Sequence, residues 1–361
     1  MNNYSSNILK LKINAEKIVE FDTSMTLYSP REDKEGNYYV CSHTGEIIKF
    51  DDNGSFNIFL TIGGQPTGIA FDSSNNLYYS DIANCVVYYK ELNSCNENNN
   101  EFLSNNINSN SNNIYDNINN INNNLSHNES YNDKFNEQES EVYRKNYDGQ
   151  SFKGPRSIVI NETKDEERRL IYVDCGSMGS SSLNKPNGSV FIDDINSKQI
   201  HTLLYNCLSC PMDLAIDNSR NIVYVCETFR NRIIRIIITQ NCFFSSVFYQ
   251  FNGRIGPTAI AIDDLSGFIF VARYEYSNNN ISSNKNSNKY NYGLISVLNR
   301  EGNHIGDIYI PKYSEIIGLM LPSKKFCLYF TEKNSSCVFK IKLEDFYNQA
   351  NALDEYNKMS I

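Results

Sequence analysis

Short runs of apolar residues return along this chain in a fixed succession. The clearest copy reads Gly64-Gln65-Pro66-Thr67-Gly68-Ile69-Ala70-Phe71-Asp72, then Asn76-Leu77-Tyr78-Tyr79-Ser80-Asp81, then Asn84-Cys85-Val86-Val87-Tyr88. The succession comes back at residues 210–217, 222–227 and 231–236, and again at residues 256–263, 268–273 and 293–297. Each run is too short for a stable helix and is bounded by Gly, Asn, Asp or Pro. Each is also rich in β-branched and aromatic residues, so each predicts a strand. Three weaker copies extend the series: residues 154–160 with 170–175 and 188–192, residues 36–40 with 45–50, and residues 316–321 with 327–332 and 337–341.

The spacing of these copies predicts the architecture. Pro155 lies 56 residues before Pro211, and Pro211 lies 46 before Pro257. Units of roughly 40–45 residues, each built of four short antiparallel strands, are the blades of a β-propeller. The interval from Pro66 to Pro155 is 89 residues, longer than any blade, and composition accounts for the excess. Asn occurs 54 times in the 361 residues, with 21 between Glu91 and Tyr147 and another 7 between Ser277 and Asn291. Such stretches bury too little apolar surface to offset the entropy of ordering them, so residues 91–147 and 277–291 are expected to be disordered surface inserts. Setting aside their 57 and 15 residues leaves 289, which six blades fill at about 270. The fold class expected is all-β: a six-bladed β-propeller over residues 11–343, interrupted by the two Asn-rich inserts and followed by a short C-terminal helix in residues 344–361.

Individual letters of the repeat have structural reasons. Proline at the head of an inner strand fixes φ where no ladder donor is needed. Asp72, Asp217 and Asp263 are placed to close tight turns by accepting from nearby backbone N–H groups. A closed ring needs a seal, and residues 11–21 are positioned to supply the outer strand of the last blade and so remove an open edge.

Composition narrows the function classes. A net charge of −9 excludes a basic field for non-specific nucleic-acid binding and a polybasic membrane anchor. No apolar run is long enough to span a bilayer and no signal peptide is readable, so a cytoplasmic, monomeric protein is expected. The ten cysteines stand mostly singly inside apolar runs, the pattern of reduced, buried thiols. Cys207-Leu208-Ser209-Cys210 is the one close pair, and His201 is near it. A zinc site would need further ligands, and a redox motif would open a helix rather than precede a strand.

With these residues in view, the chain resembles the NHL-repeat, gluconolactonase-like and strictosidine-synthase-like six-bladed propellers. The best-fitting piece is residues 211–236, where Leu214-Ala215-Ile216-Asp217, Val223-Tyr224-Val225-Cys226-Glu227 and Asn231-Arg232-Ile233-Ile234-Arg235 follow the NHL pattern. The resemblance implies, for the hydrolase members, a calcium ion in the central tunnel held by Glu, Asn and Asp. The Asn and Asp come from the middle position of Pro-x-Gly at the inner strand starts. Here those positions are Thr67, Arg156, Met212 and Thr258. None supplies an anionic oxygen, and Ca²⁺ takes six to eight oxygens, several of them anionic.

The candidate tunnel residues follow from the repeat. Ser42, Asp81, Cys175, Glu227, Arg273 and Glu332 end the second strand of each copy and are candidates for a polar ring at one rim. Asp81, Arg156, Asp213, Glu227, Arg273 and Glu332 are the ligand-binding candidates. The competing role for Asp81 and Glu227 is to fix the turn before the third strand. Asp213 stands where other copies place Gly68, Ser157 and Ala259, and it is expected to pair with Arg156 or Arg273, because an unpaired buried charge is costly. His43 beside Ser42 has no third group to orient it as a base, and no catalytic residue is assigned.

The main expectation is therefore a non-catalytic scaffold, without cofactor, that binds a protein or small polar ligand at its rim and tunnel. The alternatives are a calcium-dependent lactonase or esterase of the gluconolactonase type, or a metal-free strictosidine-synthase-like enzyme. The last needs an acidic tunnel residue, for which Glu332 or Glu315 is the nearest candidate.

Overall fold

The computed structural model describes residues 8–21, 24–92, 140–162, 167–176, 180–252, 256–274 and 292–359, with side chains to residue 352. Two short strands come first, β1 (Leu9–Lys12) and β2 (Glu16–Glu20), and then six four-stranded blades. Blade I holds β3 (Leu27–Glu32), β4 (Tyr38–Ser42), β5 (Glu46–Phe50) and β6 (Phe56–Thr61). Blade II holds β7 (Pro66–Phe71), β8 (Leu77–Asp81), β9 (Val86–Lys90) and β10 (Glu141–Arg144), with a small hairpin, β11 (Asn146–Tyr147) and β12 (Gln150–Ser151), after it. Blade III is β13 (Pro155–Glu162), β14 (Arg168–Asp174), β15 (Gly188–Asp194) and β16 (Ile200–Leu208). Blade IV is β17 (Pro211–Asp217), β18 (Ile222–Glu227), β19 (Arg232–Ile238) and β20 (Phe243–Gln250). Blade V is β21 (Pro257–Ile262), β22 (Ile269–Arg273), β23 (Tyr292–Leu298) and β24 (His304–Pro311). Blade VI has β25 (Ile316–Met320), β26 (Cys327–Glu332) and β27 (Cys337–Lys342) and takes its fourth strand from the N-terminal segment.

That seal is β2, which runs antiparallel to β27 with Glu16 opposite Lys340 and Glu20 opposite Cys337. Ile18 and Val19 are buried there against Tyr329 and Val338, so the ring is closed by apolar packing as well as by ladder bonds. β1 does something the repeat does not announce. It adds a fifth strand to blade V, parallel to β24, with Leu9 opposite Gly306. A Cβ on Gly306 would stand 2.8 Å from the Leu9 side chain, so glycine is what lets the two backbones approach. Helix α1 (Glu344–Met359) covers this edge, burying Phe346 and Ala350 beside Leu9, Leu11 and Phe268. No described helix is long and apolar enough to cross a membrane.

Two expectations about boundaries change. The outer strand of blade II, β10, lies inside the Asn-rich stretch set aside above, because Val142, Tyr143 and Arg144 give its end ordinary strand chemistry. Tyr143 packs edge-on against Tyr78, and Arg144 Nε donates to the buried Asp193 carboxylate of blade III at 2.6 Å. Residues 93–139 and 275–291, most of both inserts, lie outside the described residues. In blade III the second strand ends at Asp174, which pairs with Pro155, so Asp174 and not Cys175 holds the position equivalent to Asp81 and Glu227.

Asp72 and Asp263 act as expected. Asp72 Oδ1 accepts from the Asn76 N–H at 2.8 Å, and Asp263 Oδ1 from the Leu265 N–H at 3.0 Å. The Asp217 carboxylate instead takes side-chain donors, the Ser219 hydroxyl and the Arg300 guanidinium, and no backbone N–H among the described residues.

The inner strands position the centre of the molecule. In every blade the register between first and second strands breaks at the same place: between Tyr28 and Arg31, Pro66 and Gly68, Pro155 and Ile158, Pro211 and Leu214, Pro257 and Ala259, Ile316 and Gly318. A bulge leaves its extra residue unpaired and re-aims the side chain. Hydroxyls and a thiol then stitch each blade to the next. Ser29 donates to the Thr67 carbonyl, Thr67 to Pro155, Cys175 to Pro211, Thr228 to Pro257 and Thr258 to Ile316. At the last seam Arg31 returns the pattern, donating to the Leu319 carbonyl at 3.1 Å.

Candidate functional site at the propeller axis

The bulged segments put Thr67, Arg156, Met212, Asp213 and Thr258 at the inner ends of their blades, with Arg31 ending the bulge of blade I. Two contacts place part of this set on the axis. Arg31 Nη2 lies 3.6 Å from Asp213 Oδ1, joining blade I to blade IV, which face each other across a six-blade ring. The Arg156 guanidinium of blade III stands 6.0 Å from the ring of Tyr28 of blade I, passing over the blade between them.

Asp213 is fully engaged. Its Oδ1 accepts from the Ser157 hydroxyl and from its own Leu214 N–H at 2.9 Å, and its Oδ2 accepts from the Ile260 N–H at 2.9 Å. Burial raises its carboxyl above the usual carboxylate range, against the pull of Arg31 and of these donors. Its cationic partner is therefore Arg31, and neither Arg156 nor Arg273 fills that place.

Arg156 is held by its backbone and free at its tip. The Thr67 and Ser80 hydroxyls both donate to the Arg156 carbonyl. A Cβ on Gly68 would stand 2.1 Å from that carbonyl, so blade II approaches this closely only with glycine there. The side chain is 8% exposed, and its Nε has no hydrogen-bond partner.

The other sequence candidates make contacts in loops: Asp81, Glu227 and Arg273 with the loops that lead into the inner strands, Glu332 in the turn that follows its own strand. Asp81 accepts from the backbone N–H groups of Gln65, Ala83 and Asn84 at 2.9–3.0 Å. Glu227 accepts from the Ser209 N–H at 2.7 Å, from Arg230 at 3.0 Å and from Arg232 at 2.5 Å. Glu332 accepts from the Asn334 N–H at 3.0 Å, and burial raises its carboxyl. Arg273 donates to the Asn252 carbonyl and lies 4.9 Å from the Phe251 ring. Asp174 belongs to this group, accepting from the Lys153 and Gly154 N–H groups at 2.9 and 2.8 Å. Its signal in the sequence was Val173-Asp174, one residue short of the Cys175 chosen. His43 Nδ1 accepts from the Thr26 N–H at 2.9 Å, a structural contact.

The thiols are arranged differently from their spacing. Cys207 is exposed, while Cys210 is buried immediately before Pro211, whose carbonyl accepts from the Cys175 thiol of the neighbouring blade at 3.2 Å. The interaction of the two thiols draws the Cys210 thiol below its ordinary range, with Arg156 adding to the effect, and raises Cys175.

A divalent cation does not fit this centre. The middle positions present two hydroxyls, a thioether and a guanidinium, and the one carboxylate at the axis has both oxygens committed. Among the described residues no three His, Cys, Asp or Glu side chains gather to hold a metal.

The fold defines the class: a six-bladed β-propeller, here sealed by an N-terminal strand, with the fold of gluconolactonase-like structures. No family model matches the chain. It is 28% identical over 143 residues to the lactonase drp35 of Staphylococcus aureus (strain MRSA252), a match spanning 38% of either chain. Among solved structures it is similar to a gluconolactonase, XC5397, from Xanthomonas campestris, with a TM-score of 0.62, 11% identity, and 91% and 89% of the two chains covered. It is likewise similar to a calcium-binding protein, regucalcin, from Agrobacterium tumefaciens, with a TM-score of 0.61, 11% identity, and 92% and 95% covered.

Proposed function

We propose that the protein handles a small polar molecule in its central tunnel in the manner of gluconolactonase-type propellers, with a lactone or ester as the substrate class. This reading replaces the scaffold as the leading one, because the relatives that support it are lactonases. The observation that carries it is the axis itself, where bulged inner strands deliver an ion pair and a second guanidinium. Hydrolysis would add water at the acyl carbon and break its bond to the ester oxygen, giving a hydroxy acid from a lactone, or a carboxylic acid and a released alcohol from an open-chain ester. Guanidinium N–H groups suit the carbonyl oxygen that gains charge in that step and the carboxylate that results. The donor set argues that the tunnel works without the cation named for regucalcin.

The test is turnover of a panel of five- and six-membered lactones and aryl esters by the purified chain, in Ca²⁺ and in EGTA. Turnover that survives EGTA and falls at least tenfold in Arg156→Met is expected. No turnover across the panel, or turnover abolished by EGTA, would sink this reading.

A second reading, a binding scaffold, is favoured by one observation. The outer strand β20 turns Phe243, Phe244 and Val247 to solvent at 41, 61 and 49% exposure. A partner recovered with the wild type and lost with Phe244→Asp would favour it.

A further inference from the structure

We infer that Arg156 is the receptor for an oxyanion: the tunnel binds a small molecule through a carboxylate or phosphate group seated on this guanidinium. The inference deepens the small-molecule reading of the tunnel and rests on it, adding the charge and chemical class of the ligand.

Charge accounting makes the case. An arginine stays protonated at any ordinary pH, so burial cannot be relieved by losing the proton. A buried cation without a partner is strongly unfavourable, and proteins pair or hydrogen-bond such groups. Among the described residues, the other arginines that are not exposed all do so. Arg144 has Asp193, Arg168 has Asp72, Arg169 has Glu167, Arg230 and Arg232 share Glu227, and Arg300 has Asp217. Arg31 has Asp213, Arg235 reaches the Ser246 hydroxyl, and Arg273 reaches a carbonyl. Arg156 is the one buried arginine among the described residues, yet its Nε has no partner, as is also true of Arg235 and Arg273. Unlike theirs, its guanidinium makes no ion pair or hydrogen bond to a described residue through its other nitrogens. The carboxylate closest in the ring sequence, Asp213, is already saturated by Arg31 and three hydrogen bonds.

The group is also built to stay in place. Its carbonyl is pinned by two hydroxyls from blade II, and one side rests over the Tyr28 ring, a favourable place for a guanidinium face. A cation–π contact at that distance uses none of the N–H donors, and a planar fork of N–H donors matches carboxylate and phosphate oxygens in pairs. The ionisable groups near it are Tyr28, under its guanidinium, and the Cys175 and Cys210 thiols, on which its charge acts.

The experiment compares melting and calorimetric titration of the full chain with sodium gluconate, sodium phosphate and sodium chloride at matched ionic strength. Wild type is expected to show a saturable rise in melting temperature with gluconate or phosphate and none with chloride. The stronger of the two distinguishes a carboxylate ligand from a phosphate one. Arg156→Met should melt higher than wild type without ligand and lose the anion response, while Arg156→Lys should bind at least tenfold more weakly. Cys210→Ala should keep the response; tighter binding by tenfold or more there would make the Cys210 thiolate the natural counter-charge and overturn the inference. So would an unchanged response in Arg156→Met, or none in wild type. Anion binding without lactone turnover would leave this inference standing and remove only the hydrolase reading.

Discussion

Arg31 and Asp213 meet at 3.6 Å from opposite sides of the ring, so one ion pair ties blade I to blade IV through the middle of the propeller. Ser157 and the Ile260 N–H join the same carboxylate from blades III and V, and Arg31 also reaches the Leu319 carbonyl of blade VI. Five of the six blades therefore converge on two side chains. The axis is a structural knot as well as a site.

Removing Arg31 should show this as a pH-dependent loss. Burial lifts the Asp213 carboxyl and Arg31 draws it down, so Arg31→Met lifts it further. A carboxyl that titrates higher in the folded state than in the unfolded one favours folding while it is protonated. That favour fades as pH rises through the folded value. Arg31→Met is thus expected to cost about 3–5 kcal/mol at pH 8 and clearly less at pH 5, read from urea midpoints at both. An equal loss, or a larger one at pH 5, would contradict the assignment.

The seal of the ring should be a weak point of outsized effect. Ile18 and Val19 anchor β2 on blade VI. Ile18→Ala is expected to cost about 2–4 kcal/mol, within the range for truncating a buried aliphatic side chain. Removal of residues 1–21 should do more, leaving β27 as an open edge that recruits other chains. Denaturant melts and light scattering measure the two effects; a truncated chain that stays monodisperse with wild-type stability would refute the role of β2.

Glu227 separates turn chemistry from ligand chemistry. It neutralises Arg230 and Arg232 and holds the loop before β17 through the Ser209 N–H. Glu227→Gln is expected to cost about 2–3 kcal/mol, since the two arginines are partly solvated, and to leave gluconate and phosphate binding within twofold of wild type. A tenfold loss of anion affinity would place Glu227 in the binding site instead.

The long insert of blade II should be dispensable. Tyr89 and Glu141 are direct partners in the ladder, so the two ends that the insert joins are already adjacent. Replacing residues 93–139 by a four-residue turn shortens that loop by several doublings and should stabilise the fold by about 2 kcal/mol, at roughly 0.6 kcal/mol per doubling. A lower melting temperature in the shortened chain would mean that the insert itself packs on the propeller.

Much of the frame was legible because strands and turns are local. The Pro-headed inner strands, the turn aspartates and the six copies follow from side chains a few residues apart, and β2 followed from the need to close a ring. The short β10 was hidden by the asparagines on its N-terminal side, although Val142 and Tyr143 carried ordinary strand chemistry. β1 was hidden for another reason: a parallel partner 297 residues away leaves no periodicity of its own.

The site was legible only in part. Arg156 and Asp213 stood out because they break the repeat at positions that every blade fills, whereas Asp81, Glu227, Arg273 and Glu332 stood out because they recur. In blades II to IV the recurring carboxylate, Asp81, Asp174 or Glu227, holds the loop before the inner strand through the N–H groups of Gln65, Lys153 and Ser209.

What the chain determined by itself was the strand, the turn and the number of blades, since these depend on local conformational preference and on a count of repeats. Tertiary structure alone decided who meets whom between blades: Arg31 with Asp213, Cys175 with the Pro211 carbonyl, and Arg156 with its Nε unpartnered. Residues at the same step of the repeat look equivalent along the sequence. Only closure of the ring brings non-adjacent blades within reach of a side chain and decides which buried charges are paired.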